Sequence, residues 1–503
     1  MKKSLNIIVN GFDGFHGQEV IKRACEPFSI GTCISIQGVK ENLPTVPCEK
    51  LIWEYPPNMW KTDWNALLPL DEDIIEKMAP HEMVFLEMME RDENKGRAFT
   101  YRDRRKRYLK LLRYWNHVIE THKIDVLLSC TLPHRLRTYV IYAICRVKNI
   151  PTILLFHAGP LPDAFICLEH WEDFSPDLER VYKELRAKYS DEEALKIPLS
   201  QKAEKYFQEQ LVKDKDPPPP YYMFANEDPL GHARAKSLEE VKRNPVLLFQ
   251  KITSSIQNRL KPERYIEKLR FWYRKRRAKK MFAFYEKNIV EPDLTAKYVY
   301  VPLHHQPECS TCPMAGAYSE QMLVVSMLHA LLPPDVLMYV KEHPHQEKYF
   351  PDGRCRDDDF FAELLTIPRV RFISRKFSTY QLASHAIAVA TGTGMVAFES
   401  LFRGIPTIMF GHWSQQYAPG IFRVKTVEDC TLAIDAIFNK GMKPRLPEVR
   451  LFFKALDAVS LDGYLDERFR TVHKDEQESC IQTFSGAIRK KLLQHFGDSA
   501  SHP

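Results

Sequence analysis

Short runs of consecutive apolar residues alternate along this chain with longer charged segments of helical pattern. That is how parallel strands covered on both faces, and the helices joining them, read in a sequence. The pattern is clearest over residues 387–411, IAVATGTGMVAFESLFRGIPTIMFG. Ile387 to Ala390 predicts a buried strand, Thr391 to Gly394 a tight glycine turn, Met395 to Arg403 a helix and Pro406 to Phe410 the next strand. The rest of the second half predicts strands at Tyr298–Leu303, Val336–Val340 and Val370–Ile373, with helices at Tyr318–Leu332, Ser378–Ser384 and from Thr426 onward. The first half has the same alternation. Leu5–Val9, Gly31–Gln37, Asp125–Cys130 and Thr152–Phe156 predict strands, and Pro133-His134 opens a helix that runs to about Lys148. Charged helices are expected at 71–91 and 102–121, beside an irregular aromatic stretch, WEYPPNMWKTDW.

Read together, these elements predict an α/β protein with two Rossmann-like, doubly wound domains facing a cleft, and a helical insertion. The expected divisions are a first domain at 1–165, a mostly helical insertion and linker at 166–295, a second domain at 296–440, and C-terminal helices at 441–503 that return over the first. Within the insertion, Asp216-Pro-Pro-Pro-Pro-Tyr-Tyr222 predicts a stiff extended connector, because proline fixes φ and donates no hydrogen bond.

A length of 503 residues fits two domains better than one core, and 44% hydrophobic residues mark the chain as globular. The net charge of +7 is modest but unevenly spread. Residues 101–113 carry seven basic side chains against one acid, and residues 262–280 nine against two, the latter with Phe271, Trp272 and Tyr273 among them. Such a run is first a solvated helix face, next a contact for an anionic membrane surface or an acidic polymer, and last one for nucleic acid. Eleven cysteines without framework spacing predict reduced thiols and a cytoplasmic protein. Cys309 and Cys312 form one C-x-x-C with no second pair at zinc-ribbon spacing, so no metal is expected there. The start, MKKSLNIIVNGFDG, has an apolar core too short for a signal peptide, and no run approaches a membrane span.

Polar residues collect where the predicted strands end. In an open parallel sheet the carboxyl ends of the strands form the ligand-binding edge. There the second half places His304, Gln306 and Glu308, then Lys341, His343 and Pro344, then Thr391, Gly392, Thr393 and Gly394, with Glu399 inside the following helix. Glycines let backbone N–H groups approach a phosphate, and a carboxylate a turn further on suits ribose hydroxyls. This constellation fits a nucleotide whose leaving charge must be stabilised. In the first half the glycine loop Gly11 to Gly17 carries Asp13 and His16, the candidates for a catalytic base, with His134 and His157 on the same edge.

The segments VPLHHQPECSTCPMAGAYSEQ, YVKEHP and SHAIAVATGTGMVAFESLFRGIPTIMFG resemble the capsule polysaccharide biosynthesis and surface carbohydrate glycosyltransferase family, over residues 296–440. The resemblance is looser at YWNHVIETHKIDVLLSCTLPH and KNIPTILLFHAGP. It implies a GT-B fold with an acceptor-side first domain, and a donor-nucleotide role for the His-Pro motif at His343 and Pro344. It also implies phosphate and ribose contacts from Thr391 to Glu399, and a place for His16 like that of the histidine in the first glycine loop of lipid-linked N-acetylglucosamine transferases. Some capsule enzymes use CMP-linked 3-deoxy-manno-octulosonic acid (Kdo). The expected activity is metal-independent transfer of a sugar from a CMP- or UDP-activated donor to a surface or capsular glycan or glycolipid. No cofactor and no nucleic acid is expected, and peripheral contact with an anionic membrane is. The competing readings are a nucleotide-sugar 2-epimerase and a non-catalytic glycan-assembly scaffold.

Overall fold

A computed structural model describes residues 2–12, 15–36, 46–54, 62–92, 99–212, 262–465 and 473–497, with backbone alone at 15–16, 92 and 262–264. The described residues form two sheets. The first is built from β1 (Ser4–Asn10), β2 (Ser29–Ile36), β3 (Cys48–Trp53), β4 (Val126–Ser129), β5 (Thr152–His157) and β6 (Ala164–Leu168). The second contains β7 (Ile289–Val290), β8 (Tyr298–Pro302), β9 (Leu337–Lys341), β10 (Val370–Ile373), β11 (Ala388–Thr391), β12 (Thr407–Met409) and β13 (Ile421–Arg423). A short β14 (Leu461–Asp462) returns to the first sheet.

The first sheet runs β3-β2-β1-β4-β5 in parallel and is closed by the antiparallel β6 and β14. The second runs β10-β9-β8-β11-β12-β13, all parallel, with β7 outside β10. Both have the doubly wound order, in which the chain reverses direction beside the first strand and leaves a crevice there. The expectation of two Rossmann-like domains is met by this order. Strands such as β4, with all four residues buried, are apolar throughout because helices cover both faces.

Local chemistry fixes many of the helix starts. Tyr101–Thr121 opens with a capping box, in which Thr100 accepts from the Asp103 N–H and the Asp103 carboxylate accepts from the Thr100 N–H. Glu72–Met88 is capped by Asp71. Both pack over the first sheet with the helix Leu136–Val147, around Trp115, Tyr139 and Phe85. The C-terminal helices fold back on the first domain. Lys474–Phe496 lies along Phe15–Cys25, with Arg23 paired to Glu478 at 2.5 Å and Arg489 to Glu26 at 2.7 Å.

The differences from the sequence reading lie in the short strands. β3 lies just before the aromatic stretch expected to be irregular, sharing only Trp53 with it, in a segment for which no strand was expected, and β6 carries the first sheet past residue 165 to Leu168. β13 and β14 have three and two residues, too few to show a period. The proline connector at 216–222 lies outside the described residues.

Candidate functional site

The switch point of the second sheet, between β8 and β11, is where the sequence places the glycine turn and His304. The two meet. The backbone N–H groups of Gly392 and Thr393 donate to His304 Nε2 at 3.0 and 3.3 Å, and Thr391 Oγ1 lies 3.0 Å from the same nitrogen. Because Nε2 accepts, the proton of this imidazole is on Nδ1. Burial pushes the His304 pKa down to about 4, so the ring is neutral. A Cβ at Gly392 would stand 3.0 Å from His304 Nε2, which explains the glycine by close approach rather than by backbone angle. The helix that follows, Val396–Leu401, is only six residues long. The turn expected to cradle a phosphate therefore holds an imidazole.

Three more histidines stand beside it. His305 Nδ1 lies 2.8 Å from Glu308 Oε1, and its buried Nε2 has no partner among the described residues. The rings of His305 and His343 have centroids 5.2 Å apart. The His345 N–H donates to His343 Nδ1 at 3.2 Å, so the neutral His343 ring carries its proton on Nε2. Burial, helped by the neighbouring His305, lowers the His343 pKa to about 3. His345 completes the row, 5.5 Å from His343 between ring centroids. Pro344 is exposed beside them.

Beneath the histidines lies a buried ion pair. Arg356 Nε donates to Glu342 Oε2 at 3.0 Å, with side chains 1% and 0% exposed. Arg356 also donates to the His304 carbonyl at 2.9 Å and to Gln306 Oε1, and Glu342 accepts from the His343 N–H at 2.7 Å. Every side-chain polar atom of this pair is bonded, the condition under which a buried charge pair holds one geometry.

Two of the candidate residues are engaged within the protein. Gln306 is 5% exposed and spends its amide internally: Nε2 donates to the Ser319 carbonyl at 2.8 Å, and Oε1 accepts from Gln321 at 2.6 Å and from Arg356. Lys341 sits at the end of β9 as expected, but its Nζ donates to the Phe377 carbonyl at 2.6 Å and to Thr379 Oγ1 at 2.8 Å. An ammonium buried at 5% exposure needs these acceptors. Thr393 Oγ1 is likewise bound to the Ser310 carbonyl at 2.6 Å, and the Gly394 N–H donates to Thr391 Oγ1 at 3.2 Å. Glu399 is half-buried, with its carboxylate near the Tyr300 phenol and the Arg403 guanidinium. Glu308 is half-exposed, at 49% of its side chain.

The first domain reaches this edge through residues the sequence did not single out. Arg91 Nη2 donates to the Glu308 carbonyl at 2.7 Å, while its other amino group donates to the His134 carbonyl, so one guanidinium ties both domains. Ser319 Oγ donates to Glu87 at 2.7 Å, and the Cys355 thiol to Glu90 at 2.7 Å. Burial pushes the Glu87 pKa up to about 7, against the hydrogen bond from Ser319. After β12, beside the glycine turn, His412 Nδ1 lies 2.6 Å from the Glu172 carbonyl and Ser414 Oγ donates to the Gly159 carbonyl at 2.8 Å. No pattern in the sequence marks these pairs, because every one that joins the two domains links residues more than 200 positions apart.

Asp13 lies outside the described residues, and of His16 the backbone alone is described, in the helix Phe15–Cys25. His134 Nδ1 is 2.9 Å from the Leu132 carbonyl, and His157 is exposed with its ring on Phe165. Cys309 and Cys312 are free thiols, the first pushed up to about 12 by burial and the second higher still. Among the described residues no group of three histidine, cysteine or carboxylate side chains is arranged to hold a metal ion.

No family model and no curated protein matches the chain. Among solved structures it is similar to the UDP-GlcNAc 2-epimerase from Methanocaldococcus jannaschii, at 11% identity over 90% of this chain and 99% of that one, with a TM-score of 0.25. It is similar to the Thermosulfurimonas dismutans KpsC, beta Kdo 2,7 transferase, at 11% identity over 76% and 87% of the two chains, with a TM-score of 0.32. It is also similar to a glycosyltransferase from Rickettsia africae ESF-5, at 10% identity over 98% and 97%, with a TM-score of 0.25.

Proposed function

We propose that this protein is a glycosyltransferase that takes a sugar from a nucleotide-activated donor, CMP- or UDP-linked, and transfers it to a surface or capsular polysaccharide or a glycolipid. The observation that carries the reading is the two imidazoles held neutral by burial at the switch point of the second sheet, His304 and His343, with tautomers set by the backbone. A neutral imidazole N–H in a poorly solvated site donates to a phosphate oxygen as negative charge grows there, with little reorganisation. In this reading His343 Nε2–H and His304 Nδ1–H stabilise the departing nucleotide, a task given to side chains rather than to a divalent ion. Glu399 takes the ribose hydroxyls. The acceptor hydroxyl loses its proton to Asp13 or His16 in the glycine loop of the first domain.

The test is a screen of CMP-, UDP- and GDP-sugars for thermal stabilisation, repeated with His343→Ala and Glu399→Ala. Losing a charged hydrogen-bond partner costs about 1.5 to 3 kcal/mol, so Glu399→Ala is expected to weaken nucleotide binding by about one to two decades. His343→Ala is expected to slow turnover as well. Nucleotide release that requires an acceptor separates transfer from epimerisation. Unchanged affinity in both variants, or no stabilisation by any nucleotide sugar, overturns the reading.

A further inference from the structure

The helix Pro262–Lys287 has two apolar faces. Its C-terminal half buries Ala278, Met281, Phe282 and Tyr285 in the core of the second domain. Turning 100° per residue, these lie together on one side. The N-terminal half carries Tyr265, Ile266, Leu269, Trp272 and Tyr273, all between 51% and 66% exposed. Their spacing of i, i+1, i+4, i+7 and i+8 gathers them into one stripe about 120° wide, opposite the packed side. A free surface seldom concentrates large apolar side chains in this way.

The charges follow the same geometry. Lys268, Lys275 and Lys279 line one margin of the stripe, Arg270 the other, and Arg276 and Lys280 continue it; all six are exposed. Three cations lie over its rings: Lys268 over Tyr265 at 5.8 Å, Arg276 over Trp272 at 5.6 Å, and Arg277 over Tyr273 at 5.8 Å. The single acid between residues 265 and 280, Glu267, falls on the packed side. Arg274 and Arg277 are paired with Asp352 and Asp358, which fastens the helix to the second domain and leaves the stripe outward.

We propose that this stripe lies in the plane of an anionic lipid surface, with Tyr265, Ile266, Leu269, Trp272 and Tyr273 at the boundary between headgroups and acyl chains and the basic margins on lipid phosphates. A basic, aromatic and aliphatic face on a helix is the composition of an interfacial segment. Nucleic acid or an acidic protein would satisfy the lysines and arginines but offers no apolar depth for Ile266 and Leu269. Among the described residues no helix is long and apolar enough to cross a membrane, so the contact is along the surface. Ala278 packs against Gly353, where a Cβ would stand 2.9 Å from its own, and the same loop continues to Arg356 under the histidines. The lipid-facing helix thus adjoins the donor edge. If the transferase reading holds, that edge lies beside a lipid-linked acceptor, whereas the lipid contact itself does not depend on it.

The experiment is sedimentation of the full chain with vesicles of phosphatidylcholine alone and with about one third phosphatidylglycerol. Each basic residue near an anionic surface contributes roughly fivefold in binding, so at least about tenfold stronger pelleting with the anionic vesicles is expected, falling with salt. Lys275→Glu with Arg276→Glu, and separately Leu269→Ser with Trp272→Ser, should each lower it at least about tenfold. Both pairs should keep the wild-type melting temperature, because the face is exposed. Brominated lipid should quench wild-type fluorescence more than that of Trp272→Phe. Equal pelleting with both vesicle types, wild-type binding by the Leu269→Ser, Trp272→Ser pair, or binding to heparin and not to vesicles overturns the proposal. Vesicle binding without any response to nucleotide sugars would instead overturn the transferase reading alone.

Discussion

At the crevice between β1 and β4 the first domain places Asn10 and Ser129. The amide donates to the hydroxyl at 2.8 Å, and Cys130 fills the space where Gly11 has no side chain. At the matching crevice between β8 and β11 the second domain places His304 on the glycine turn, over the Arg356–Glu342 pair. The topology is shared, and each crevice is filled from within by polar groups that bond to one another. The fillings differ in kind. Asn10 and Ser129 cannot change charge near neutral pH, whereas the second crevice contains imidazoles held neutral by burial and a charge pair that cannot leave water unless both partners stay. Equal topology thus carries two different fillings, one of neutral hydrogen-bonding side chains and one of imidazoles over a charge pair.

The largest expected effect tests the charge pair. Arg356→Met leaves the Glu342 carboxylate buried and alone, and chemical denaturation should show a loss of about 3 to 5 kcal/mol. Adding Glu342→Leu removes the stranded charge and should restore much of that loss. If the double variant is no better than the single one, the network matters through its hydrogen bonds to His304 and Gln306 rather than through its charges.

Next in size is a matched pair of truncations, one in each crevice. His304→Ala leaves two backbone N–H groups without their acceptor and should cost about 1 to 3 kcal/mol, while Ser129→Ala removes one neutral hydrogen bond at about 1 kcal/mol. The acid sensitivity of the two should also differ. A histidine whose folded pKa is lowered to about 4 destabilises the fold as pH falls below its ordinary 6.5, because the unfolded chain takes up the proton first. His304→Ala should therefore show a smaller acid loss than Ser129→Ala when both are melted from neutral pH downward. The reverse order would break the contrast between the crevices.

The smallest effect concerns the seam between the domains. Burial raises the Glu87 carboxyl to about 7, so the folded protein holds a proton that the unfolded chain has already released. Its contribution is complete below the ordinary carboxylate pKa of 4.5 and is lost as pH rises through about 7. Glu87→Gln should flatten the fall in melting temperature across that interval, opposite in sign to the histidines. A wild-type curve that is level from mildly acidic to mildly basic pH would show that Glu87 ionises without cost.

Much of the fold was legible because buried parallel strands are apolar throughout and glycine turns interrupt them. Tyr298–Leu303 and Val370–Ile373 fall on β8 and β10 within a residue, and the unit from Ile387 onward supplies β11, its short helix and β12. β3, CEKLIW, was hidden because it is neither a continuous apolar run nor a regular alternation, and β13 and β14 by their length. The sequence also placed His304, His343 and the turn at one edge, since strand ends in a doubly wound sheet converge whatever follows them.

Which groups at that edge bond to one another was settled only in three dimensions. Lys341 finds its acceptors 36 and 38 positions away, His304 its donors 88 and 89 positions away, and Ser319 finds Glu87 across 232. A strand's own residues dictate that it is buried and where it stops. The partner of a polar side chain at its end depends on which other loops the packing brings alongside, and the cost of leaving a buried donor unmet makes that partner, once present, decisive.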